Sequence, residues 1–100
     1  MSDRLDLLFL VTNPAAGGIL QGMAAAAARK GIDWAVFITN DAVTLLDDEA
    51  LVGALSGARR AIVCMDSWER HMHNRACPLE SGSQTQHSQL AGQADRIISL

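Results

Sequence analysis

Four short runs of apolar residues punctuate this chain: "LDLLFLVT" at 5–12, "WAVFI" at 34–38, "AIVC" at 61–64 and "RIISL" at 96–100. The first three are apolar at successive positions rather than alternate ones. A strand with one wet face alternates, whereas a strand covered on both faces does not. The stretches between the runs are too long for hairpin turns and long enough for helices. Strands buried on both sides and joined through helices are βαβ units, which predicts an α/β fold with a mainly parallel sheet of about four to five strands flanked by helices.

The connecting stretches support this. "GGILQGMAAAAARKG" predicts a helix with Ile19, Leu20, Met23 and Ala27 on one face. Its alanine block favours helix and allows close approach to a sheet. Arg29 and Lys30 suit its negative end, and Gly31 is placed to stop it. After residues 34–38 come a turn, a short apolar segment and a helix over 48–55, with Asp47 and Asp48 as natural caps and Gly57 as a stop. Ser67 is expected to cap a helix running to about residue 73. Residues 75–83, with Cys77, Pro78 and Gly82, read as a loop, and residues 84–94 as a weakly patterned helix.

All 100 residues fit a single domain. Hydrophobic residues make up 49% and charged ones 19%, more apolar material than a small monomer hides easily, which predicts a subunit interface. A net charge of -3, with Lys30 the only lysine, argues against a nucleic-acid partner. The apolar run at 7–11 is far too short to span a membrane. The start of the chain lacks a basic segment leading into a long apolar stretch, so a cytoplasmic location is expected, with Cys64 and Cys77 reduced.

In parallel sheets chemistry collects beyond the carboxyl ends of the strands. Residues 13–18, 39–43 and 64–67 should meet there, and Cys64 with them. A thiol between a strand end and a helix start faces unpaired N–H groups and the positive end of a helix dipole, both of which favour thiolate. The other reading of Cys64 is a small buried side chain, and position alone leaves both open. Arg59 and Arg60 begin the strand, too far away to activate the thiol, and Asp66 opposes its ionisation. Cys77 reads as incidental, although it could act as a resolving thiol. Cys64, His71, His73 and Cys77 match no common zinc spacing, and on a helix His71 and His73 point about 200° apart, so no metal is expected. "NPAAGG" is neither a P-loop nor a dinucleotide fingerprint. Trp34 and Phe37 are expected in the core.

Along nearly its whole length the chain resembles the DsrE/DsrF-like sulfur-carrier family, nearest to the TusD and DsrE type. "LLFLVTNPAAGG" is similar to that family's opening strand and turn. "WAVFITNDAVTLL" is similar to its second strand, with Ala42 where glycine is usual. "RRAIVCMDSWERH" resembles the strand that ends in the sulfur-carrying cysteine, and "GQADRIISL" the closing strand. The resemblance implies a Rossmann-like three-layer fold and assembly into a homo-oligomer, a trimer or hexamer. It further implies relay of sulfane sulfur as a persulfide on Cys64, between donor and acceptor proteins, without metal or organic cofactor. Two other functions stand beside it: a non-catalytic subunit or binding module of such an oligomer, and a thiol redox sensor using Cys64 with Cys77.

Overall fold

The structure, a computed structural model, describes residues 3–100. Its centre is a five-stranded sheet in which every neighbouring pair is parallel, in the order β4-β3-β2-β1-β5. The strands are β1 (Leu5–Val11), β2 (Trp34–Ile38), β3 (Arg60–Cys64), β4 (Glu80–Gly82) and β5 (Ala94–Ser99). The helices are α1 (Gly17–Arg29), α2 (Glu49–Leu55), α3 (Met65–Met72) and α4 (Gln84–Gln93), with a 3-10 stretch at Asn40–Asp47 before α2. This is the α/β fold with a parallel sheet that the apolar runs predict.

The path of the chain decides which helices lie on which face. From β1 it steps outward through β2 and β3 to β4, and crossovers of one hand put α1, α2 and α3 on the same face. From β4 it returns past the whole sheet to β5, beside β1, so α4 lies on the other face. Two clusters of buried side chains record this. Phe9, Val11, Val36, Ile38 and Val63 of the sheet pack with Leu20 of α1, Leu55 of α2 and Trp68 of α3. Leu8, Ala35, Phe37, Ile62 and Cys64 pack with Leu90 of α4. Every β2 side chain is buried, which explains why its run is apolar throughout.

Five local expectations are corrected. Ile19 is 62% exposed, because α1 turns Leu20, Ala24 and Ala27 to the sheet, a spacing of four and three residues that leaves Ile19 off the stripe. Asp48 alone caps α2, accepting from the Ala50 and Leu51 N–H groups, while Asp47 pairs with Arg75. Ser67 lies inside α3 rather than capping it, since the residue before the helix is Cys64. The stretch at 75–83 is not all loop: Glu80–Gly82 forms β4, paired in register with residues 62–64. The last strand begins two residues earlier than expected, at Ala94, and is the fifth rather than the fourth. Gly31 does end the first helical region, at φ +66, a conformation that favours glycine.

Gly82 is required by close approach. A Cβ there would lie 2.5 Å from Cγ2 of Ile62, a buried, β-branched side chain with little freedom to move. The edge strand can therefore seat against β3 only with glycine at that position.

Candidate functional site

Cys64 ends β3 and occupies the position just before α3. Its neighbours come from three other places in the chain. Thr39 follows β2, and its hydroxyl shares a 3.2 Å hydrogen bond with that of Ser67 in the first turn of α3. The Asn40 N–H donates to the same Ser67 oxygen at 2.9 Å. Asn40 adopts φ 59, a left-handed conformation that asparagine tolerates better than most residues. This turn brings the end of β2 against α3. From the opposite face, Gln84 at the start of α4 reaches the sulfur, its side-chain N–H donating to Sγ at 3.9 Å.

This meeting follows from topology. The chain leaves β3 toward the face of α1, α2 and α3, and leaves the adjacent β4 toward the face of α4. Neighbouring strands whose exits diverge leave a crevice beyond their carboxyl ends, the usual place for chemistry in open α/β sheets. Cys64 and its register partner Gly82 stand at these two strand ends.

Cys64 is 6% exposed. Burial acts to raise its thiol, but hydrogen bonds from the Ser67 side chain and backbone, the Thr39 side chain and the Asp66 backbone outweigh that effect. The thiol is consequently lowered from its ordinary value of 9.0. The N–H groups are those left unpaired at the start of a helix, and they favour the anion as the helix dipole does. Asp66 thus assists ionisation through its backbone, contrary to the opposition expected from its charge.

A titration follows. Alkylation requires thiolate, so its rate should rise to a plateau with a midpoint below pH 9.0. Ser67→Ala removes a donor to the anion, which should move the midpoint up and slow alkylation near neutral pH by about ten-fold. For stability the sign is that of an acid depressed on folding. Ionised Cys64 favours the native state fully above the unfolded thiol's pKa, and that contribution is lost as pH falls through the lowered native value. Rates with iodoacetamide across pH 6–10, in protein lacking Cys77, would measure the midpoint; one unchanged by Ser67→Ala would refute this role.

Of the segments expected at the carboxyl edge, 39–43 and 64–67 do meet. Residues 13–18 lie on the same edge, beyond β1: Ala16 joins the buried cluster of Ala42 and Val43, and the Asn13 N–H donates to the Leu100 carbonyl, after β5, at 3.3 Å. Cys77 is half-buried against the cluster that contains Trp68, on the opposite face of the sheet from the cluster of Cys64. The sheet therefore separates the two thiols. Among the described residues no three His, Cys, Asp or Glu side chains gather as metal ligands. Trp68 is a core residue whose indole N–H donates to the Arg75 carbonyl at 2.6 Å.

Thr39, Ser67 and Gln84 escaped the sequence reading as partners of Cys64. Ser67 carried a signal, lying three residues along in a helix start, but Thr39 and Gln84 become neighbours only through the pairing of the strands. Met65, the residue after Cys64, is apolar and 57% exposed. No known protein family, characterised protein or solved structure matches this chain.

Proposed function

We propose that this protein relays sulfane sulfur, carrying it as a persulfide on Cys64. The observation that carries the reading is the set of donors around that sulfur. Ser67, Thr39 and the N–H groups opening α3 lower a thiol that burial alone would raise. Packing needs no such arrangement, whereas a nucleophile does. The resemblance of "RRAIVCMDSWERH" to a sulfur-carrying segment points the same way.

The chemistry is an exchange between sulfurs. Cys64 thiolate attacks the terminal sulfur of a donor persulfide, R–S–SH. A sulfur–sulfur bond forms to Cys64 as the donor's own sulfur–sulfur bond breaks, and the donor leaves as its thiolate, R–S⁻. The proton stays with the transferred sulfur, giving Cys64–S–SH. No external oxidant or reductant is consumed, because the sulfane sulfur keeps its oxidation state. An acceptor thiolate then repeats the step on the loaded protein. The donor and acceptor are proteins in this proposal, and the carrier acts as a homo-oligomer. Exposed Met65 and Ile97 supply apolar surface for such contacts.

A second reading draws on the 6% exposure of Cys64: a binding subunit in which the thiol only packs. Intact mass after incubating the reduced protein with a persulfide donor separates the two. Relay predicts a gain of one sulfur atom, reversed by reductant. A folded protein that gains nothing, and whose Cys64 resists alkylation until denatured, would establish the binding subunit instead.

A further inference from the structure

We propose that Gln84 is a dedicated donor to the sulfur at position 64, and that His87 is the positioning residue that keeps its amide turned toward that sulfur. The geometry is a chain of three contacts. The side-chain nitrogen of Gln84 lies 3.9 Å from Cys64 Sγ. Its side-chain oxygen lies 3.2 Å from Nδ1 of His87. The His87 ring stacks on Phe37, with centroids 5.1 Å apart and planes inclined by 27°, and Phe37 is fully buried.

A primary amide can turn either end toward a neighbour. In this structure the oxygen of Gln84 faces His87 and the nitrogen faces Cys64. With a proton on Nδ1, His87 donates to that oxygen and holds the NH₂ group toward Cys64. Nδ1 is protonated in the cation as well as in this neutral tautomer, so the contact needs no particular charge on His87. The stack on Phe37 holds the ring, and the first turn of α4 holds Gln84. There Ser83 caps the helix reciprocally with Gln86: the Thr85 N–H donates to the Ser83 hydroxyl at 3.2 Å, and the Ser83 N–H donates to the Gln86 side chain at 2.6 Å.

At 3.9 Å the amide is at the long end of a bond to Sγ. A second sulfur would stand about 2 Å beyond the first, so an outer sulfur on the Gln84 side comes into closer range of the same donor. The pair thus favours the anion of the resting thiol weakly and suits the loaded form better. In its bearing on transfer this inference rests on the relay reading; in its bearing on the resting thiol it does not.

The test uses protein carrying Cys77→Ser, so that one thiol reports. Gln84→Leu, His87→Phe and the double variant are compared for alkylation by iodoacetamide at one fixed pH. His87→Phe keeps a ring against Phe37 but loses Nδ1. Gln84→Leu should slow alkylation about three-fold, as loss of one weak hydrogen bond would. His87→Phe should slow it in the same direction, and the double variant should fall no further than Gln84→Leu alone, because His87 acts through Gln84. Unchanged single-variant rates, or losses that multiply in the double variant, would overturn the assignment. Sulfur uptake from a persulfide donor is measured on the same proteins. Uptake with no effect of either substitution removes the clamp and leaves the relay; the alkylation pattern without uptake in any protein removes the relay and leaves the clamp on the thiol.

Discussion

Cys64→Ser is expected to abolish the gain of one sulfur completely while leaving the protein folded, and Cys77→Ser is expected to leave the gain intact. The contrast follows from where the two thiols sit. Cys64 ends a strand where the exits of β3 and β4 diverge, with donors on both sides; Cys77 packs half-buried against the core on the other face. Serine is close in size to cysteine, and its hydroxyl can join the Thr39 and Ser67 hydroxyls already there. The stability cost should therefore be about 1 kcal/mol, that of exchanging one buried polar group for another. A hydroxyl in that place stays protonated and cannot attack a persulfide. Intact mass and a thermal melt on the same samples check both halves. Undiminished sulfur uptake by folded Cys64→Ser would end the relay proposal.

Trp34→Ala should be the most damaging single change in the core, costing about 3–5 kcal/mol. Trp34 is 2% exposed and begins the strand at the centre of the sheet. Its ring meets Phe9 of the next strand edge-on, with centroids 5.7 Å apart, so truncation opens a cavity and removes an aromatic contact together. Small domains hold only about 5–15 kcal/mol in all. The variant should therefore unfold at markedly lower urea, or fail to accumulate folded. A midpoint within error of the unmodified protein's would show that the site collapses to fill the space.

The strand β2 that Trp34 begins was legible from the start, because burial on both faces leaves no place for a polar residue in it. β1 and β3 were legible from apolar runs buried over most of their length, apart from Asp6 and Arg60 near their starts, and α1 from its alanines and the stop at Gly31. Ile19 misled because both Ile19 and Leu20 are apolar and only the docking angle of α1 chooses between them. Ser67 misled because a serine near a helix start commonly caps it, whereas here its oxygen is engaged by the turn after β2.

The site was legible in one residue. Cys64 stands at the end of an apolar run before a helix, and that alone located it on the carboxyl edge. Gln84, its partner from the other face, was not, because β4 is three residues, "ESG", with two exposed side chains and a glycine. An edge strand of that kind is held by backbone pairing, which every residue can provide, so no apolar pattern marks it. Yet β4 sets the turning point of the chain: it sends α4 to the opposite face and carries Gln84 to the sulfur of Cys64. The sequence by itself determined the parallel sheet and the place of the thiol, since both depend on which side chains can be buried. The tertiary structure decided where the chain turns back and which groups surround that thiol, since both depend on backbone pairing between segments that share no pattern.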